Sequence, residues 1–207
     1  MDGLSRPQGH INALNRRSVR VDRETVSEIV RHSLNEAFAA LHGRGAGAGE
    51  WTREIKTQLC VAGAAQEPPL YVCASGVEAA DSVEWLYDVC WLRYGEANPL
   101  AVAHADPGLD CLNEAVLILE CEWADGGMDP GRIRDDFQKL LIGRARVRCM
   151  IWEDNKGEDD PAVAEWLVEM MSECVETAPD DFYLLARYTG RGFQYWHLHG
   201  NGTVCPM

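Results

Sequence analysis

At 207 residues the chain is long enough for one well-buried core and short for two independent ones. A content of 46% hydrophobic and 25% charged residues is that of an ordinary globular protein and excludes a largely disordered chain. The formal charge of −14 and isoelectric point near 4.8 disfavour nonspecific attraction to DNA, RNA or anionic membranes, so a nucleic-acid function needs a specific site to overcome them.

Residues 1–21 are polar, contain arginine and show no sustained period, which predicts a flexible lead-in. From Asp22, an available N-cap, Val26, Ile29, Val30, Leu34, Ala37, Phe38 and Leu41 recur at helical spacing and predict an amphipathic helix over 22–42. A glycine-rich linker is expected over Gly43–Gly49, followed by a second helix from Glu50 with Trp51, Ile55 and Leu59 on one stripe. Strands are predicted at 70–77, 82–95 and 113–123, then a helix carrying Ile133, Phe137, Leu140 and Leu141 on one face. A strand at 146–154, a helix with Val163, Trp166, Leu167, Met170, Met171 and Cys174, and a hairpin of strands 182–188 and 192–199 complete the chain. The order predicts an α/β fold with a central mixed β-sheet flanked by helices. Residues 1–49 form a lead-in, helix and linker, and residues 50–207 the α/β domain.

The eight cysteines include no C-x-x-C pair and fall largely in apolar runs, the usage expected of reduced core thiols. The N-terminal stretch lacks the apolar segment of a signal peptide, and no run approaches the about 18 apolar residues of a membrane span, so a cytoplasmic location without membrane association is expected.

The segment "AVLILECEW", Ala115 to Trp123, runs from a core strand into two acids one residue apart. On a strand Glu120 and Glu122 point the same way, about 6.5–7 Å apart. Asp88 sits inside the apolar run of the preceding strand, expected to share a face with Leu86, Cys90 and Leu92. Like charges 4 Å apart repel by about 4 kcal/mol at the effective dielectric near a protein surface. Convergence of these carboxylates therefore calls for a bound cation, a basic partner or a raised pKa. Hard oxygen ligands without paired histidines favour Mg²⁺ or Mn²⁺ over zinc.

These residues and their order resemble the PD-(D/E)XK, or restriction-endonuclease-like, nuclease superfamily, whose core is a helix, three strands, a helix and a strand. The resemblance covers roughly residues 50–155 and implies that core, with an extra N-terminal helix and a C-terminal β-hairpin. It implies Asp88 in "WLYDVCWL" and Glu120 in "LILECEW" as metal-binding acids, and Glu54 in "EWTREIK" as the glutamate of the first core helix. Where the motif expects lysine this chain has Glu122, here a supporting or second-metal ligand; Lys139 in "DDFQKLL" stands where some members carry a lysine moved to the following helix. On a helical wheel Lys139 lies away from the apolar stripe, so an i,i+4 surface pair with Asp135 competes with a role in positioning the nucleophilic water.

The implied activity is Mg²⁺- or Mn²⁺-dependent phosphodiester hydrolysis, with DNA as the expected partner. The alternative is a noncatalytic nuclease-like binding or regulatory module that contacts a protein. The helix at 22–42 is a candidate homodimer element. Other candidates are weaker: His197, His199 and Cys205 as a metal set competes with plain packing, and Trp85, Trp91 and Trp123 read as core more than base-stacking platforms. "GRGAGAG" lacks the strand and Gly-Lys-Ser/Thr of a phosphate loop. Arg144, Arg146 and Arg148, and the cluster Arg16, Arg17, Arg20 and Arg23, either meet phosphates or offset the acidic surface.

Overall fold

The computed structural model describes residues 21–82, 85–95, 112–123, 129–153 and 162–207. Helix α1 (Arg23–Leu41) starts where Asp22 accepts the Thr25 amide at 2.8 Å, and its buried Val26, Val30, Leu34 and Ala37 follow the predicted stripe. The expected glycine linker is a tight turn. Gly43 and Gly45 take φ of 77° and 69°, a conformation glycine adopts without strain, and α2 (Ala48–Ala64) begins two residues before the predicted start. Its first turn is closed by Glu50, whose carboxylate accepts the Gly47 amide at 3.0 Å.

The strands β1 (Tyr71–Ala74), β2 (Val89–Tyr94) and β3 (Leu112–Glu122) form an antiparallel meander. Helix α3 (Pro130–Ile142) then crosses over to β4 (Val147–Glu153), parallel to β3, and α4 (Ala162–Glu173) to β5 (Phe182–Tyr188), parallel to β4. Strands β6 (Phe193–His199) and β7 (Val204–Pro206) return antiparallel, giving a mixed seven-stranded sheet in chain order. The helices take opposite faces: α1 and α2 pack with Val89, Leu119, Cys121 and Ile151, whereas α3 and α4 pack with Cys90, Ile118, Met150 and Leu185. Among the described residues no helix is long and apolar enough to cross a membrane.

The structure departs from expectation at two strands. The run predicted as one strand over 82–95 pairs with β3 only from Val89, so Asp88 lies just before β2 rather than inside it, and Leu86, 63% exposed, shares no buried face with Cys90 and Leu92. Apolar and aromatic content reads as strand, but Tyr87 leaves the ladder to pack with the α3 cluster and donates its hydroxyl to the Lys139 carbonyl at 3.4 Å. The three-residue β7 carries too few residues for a pattern. Helix α1 buries its apolar stripe in the chain's own core. Arg16, Arg17 and Arg20 lie outside the described residues.

The seating of α2 depends on Gly63. A β-carbon there meets the indole of Trp91 at 2.7–2.9 Å, and that indole is fully buried and pinned by its N–H to the Leu59 carbonyl at 3.1 Å. Alanine is worth about 1 kcal/mol more than glycine inside a helix, but overpacking a rigid core costs about 1–3 kcal/mol. Gly63→Ala is therefore expected to lower the urea midpoint, with a net loss of up to about 2 kcal/mol.

Candidate functional site

The end of β3 separates two chemistries by strand alternation. Leu119, Cys121 and Trp123 join the α1/α2 core, where Trp51 stacks on Trp123 with ring centres 5.6 Å apart and Tyr188 closes edge-on at 5.5 Å. Glu120 and Glu122 point to the other face, under α3, and are only 3% and 7% exposed. Carboxylates this buried need partners, and each has one from a neighbouring helix.

Asp88 is held between the two layers. Its Oδ2 accepts the Cys121 amide at 2.9 Å, so a side chain closes the β2–β3 ladder where the backbone of β2 has turned away. Its Oδ1 lies 2.8 Å from the Lys56 ammonium, which also reaches Ser75 Oγ at 3.2 Å. Lys56, on α2, is 5% exposed. The sequence reading passed over it for Glu54, yet Lys56 falls three and four residues before Leu59 and Cys60 on the buried stripe. Two helical positions apart is a rotation of about 200°, so an inward Lys56 turns Glu54 away. The hydrogen-bond partner of Glu54 is Gln58 of its own helix, at 2.8 Å.

From the opposite face, Lys139 bends its stem around the edge of α3. Its ammonium lies 3.0 Å from Glu120 Oε1 and 2.7 Å from Asp136 Oδ1. Asp135 pairs instead with Arg134 at 2.7 Å, so the expected Asp135–Lys139 pair is replaced by an i,i+3 pair with Asp136. Arg132 reaches Glu122 Oε1 at 3.0 Å. Asp136 and Arg132 are thus two more site residues the sequence reading did not assign. The spacing in "RIRDDFQK" carried the signal, because positions 132, 136 and 139 lie on one side of a helix.

Four carboxylates, Asp88, Glu120, Glu122 and Asp136, meet three cations, Lys56, Lys139 and Arg132. The surplus negative charge appears in the titration. Burial, with the charges of Asp88 and Asp136, pushes the Glu120 carboxyl up to about 8 against the lowering effect of Lys139. Burial likewise raises Glu122, with Arg132 opposing and Asp136 and Asp88 adding to the rise. Lys139 is raised: burial lowers it, but hydrogen bonds to Asp136 and Glu120 outweigh that, so it remains an ammonium.

The chain matches no protein-family model, no curated protein and no solved structure.

The donor set suits Mg²⁺ or Mn²⁺ in chemistry: hard carboxylate oxygens at one strand end, with an excess negative charge that a proton on Glu120 otherwise balances. Among the described residues no group of three or more His, Cys, Asp or Glu side chains is placed to hold a metal ion. Mg²⁺ does not require one, since it is commonly held by one or two carboxylates plus water and substrate phosphates. The weaker candidates are accounted for by packing. His197 Nε2 lies 2.6 Å from the buried Ser27 hydroxyl, and both His197 and His199 pack on Phe182. Arg146 pairs with Glu114 and also donates to the Val21 carbonyl, whereas Arg148 pairs with Asp181 at 2.9 Å and lies over Tyr183. Trp91 and Trp123 are core, and Trp85 is half exposed.

Because the Glu120 pKa is raised in the folded chain from an ordinary 4.5 to about 8, the folded state holds that proton more tightly than the unfolded one. Its contribution to stability is complete below about 4.5 and is lost as pH rises through about 8. Urea midpoints are expected to fall across that window, and Glu120→Gln, which cannot ionise, is expected to flatten the fall.

Proposed function

We propose that the chain is a metal-dependent phosphodiesterase of the PD-(D/E)XK kind, acting on DNA. The observation that carries this reading is the position of Lys139, whose ammonium reaches Glu120 from the helix that follows β3. This is the arrangement expected of a nuclease core whose lysine has moved off the strand. The order α2, β1, β2, β3, α3, β4 supports it, since it repeats the helix, three strands, helix and strand of that core. So does the location at the carboxyl ends of the parallel strands β3 and β4, where ligands of open α/β sheets bind.

In this reading Asp88 and Glu120 are the oxygens that hold Mg²⁺ or Mn²⁺, and Glu122, oriented by Arg132, supports them. When bound, the ion supplies charge neutralisation and a more acidic water. Lys139 stays protonated, which suits it to orient that water and to meet negative charge on the phosphoryl oxygens rather than to accept a proton. Asp136 fixes the ammonium by a second hydrogen bond at 2.7 Å. Trp51, Trp123 and Tyr188 close the opposite face of the strand end against water.

One observation favours the noncatalytic alternative: Asp88, Glu120 and Glu122 each already carry a basic partner from the chain. Calorimetric titration with Mn²⁺ separates the two. The wild type is expected to bind Mn²⁺ and nick plasmid DNA, with Asp88→Ala and Glu120→Ala losing the bound ion. Lys139→Ala is expected to retain the ion and lose about 100-fold in nicking rate. A wild type that binds no Mn²⁺ rules out the catalytic reading and leaves the binding module.

A further inference from the structure

Arg146 and Arg148 are paired within the chain, and Arg144 is not: it is exposed, and among the described residues it has neither a hydrogen bond nor an ion pair. In a chain of charge −14 such a cation is in short supply, and this one stands on the wall of a cavity of about 800 Å³. The cavity opens at the start of β3, and Ala115 on its wall is about 16 Å along the strand from Glu120. It shares no residue with the acidic cluster.

The space arises from a mismatch of strand lengths. β3 begins at Leu112, but β4 pairs with it only from Leu117, so residues 112–116 overhang the start of β4. The overhang, the segment before β2 and the turn at 178–181 line what is left. That turn is firmly held: the Asp181 carboxylate accepts the Ala178 amide at 3.0 Å and lies 2.9 Å from Arg148 Nη1. Arg148 also donates through Nε to the Gly143 carbonyl at 2.7 Å and lies over the Tyr183 ring, only 4% exposed. Its Nη1 is nevertheless a buried donor without a hydrogen bond, because Asp181 meets its charge but not the direction of its N–H groups. Buried donors are ordinarily satisfied. An acceptor oxygen on a ligand in the cavity does that here.

The rim has the opposite character. Trp85, Leu86 and Leu112 are 51%, 63% and 42% exposed, and all three border the same cavity. Apolar side chains gathered around a cleft with a few convergent polar groups are what a small-molecule site presents. The acids of the wall limit the charge of its ligand. A polyanion would meet Glu114, Asp180 and Asp181 along with the arginines, whereas one anionic group meets only the spare donors.

We infer that this cavity binds a small amphipathic anion, one carboxylate or phosphate group on a planar apolar body. Arg144 and Arg148 take the anion, since a guanidinium fork matches either group. Trp85 and Leu86 take the apolar body. The site is independent of the phosphodiesterase reading.

Calorimetric titration of the full chain with naphthoate and with AMP tests it, the two probes separating a carboxylate ligand from a phosphate one. Naphthylmethanol and adenosine are their uncharged counterparts. At least one anion is expected to bind saturably, with its uncharged counterpart about 10-fold weaker. Arg144→Gln is expected to weaken that anion about 10-fold and Trp85→Leu about 5-fold, both being surface substitutions that spare the core. Arg134→Gln, on the exposed side of α3, is the control and leaves the affinity unchanged. The site is overturned if neither anion binds by about 1 mM, if the uncharged counterparts bind as tightly, or if either cavity variant keeps the wild-type affinity. Each of these results leaves Mn²⁺ binding and plasmid nicking to be judged separately.

Discussion

The arrangement at the strand end depends on how the β2–β3 ladder is closed. At Asp88 the backbone of β2 has turned away, and a carboxylate takes the place of a carbonyl in accepting the Cys121 amide. That substitution puts a negative charge at the edge of a buried sheet, and the charge has to be met. Lys56 meets it from α2, with Ser75 sharing the ammonium. Removing one partner of such a buried pair costs about 3–5 kcal/mol, because the other is left charged and dry. The pair ties α2 to Asp88, and Asp88 is held beside the end of β3.

The same strand end shows how alternation divides labour. Odd positions of β3 complete an aromatic and aliphatic core with Trp51, Trp123 and Tyr188, and even positions carry Glu120 and Glu122 under α3. Neither face would hold without the other. Burial on the α3 side raises Glu120, and the same helix supplies Lys139, Asp136 and Arg132. The outcome is a cluster of carboxylates close to electrical balance, the excess charge held down by a proton on Glu120.

The chain's overall charge of −14 gains meaning in this light. Several of its basic residues are consumed internally: Lys56 by Asp88, Arg132 by Glu122, Arg146 by Glu114 and Arg148 by Asp181. The arginine stretch 144–148 that looked able to meet phosphates therefore ties strands and loops together through two of its three arginines.

Much of the architecture was legible because it is local. Binary patterns set α1, α2, α3 and β3, and the paired acids of "ECEW" had to share a face. Periodicity follows from backbone geometry alone, so those features survive folding unchanged. What the chain could not reveal by itself is which charges meet. Asp88 lies 32 residues from Lys56 in sequence, and Glu120 lies 19 from Lys139. Their pairing arises only when the sheet brings α2 and α3 over one strand end from opposite sides. The choice of Lys56 over Glu54, and of Asp136 over Asp135, was likewise tertiary: a rotation of one or two residues on a helix decides whether a charge faces the sheet or the solvent, and only packing sets that rotation.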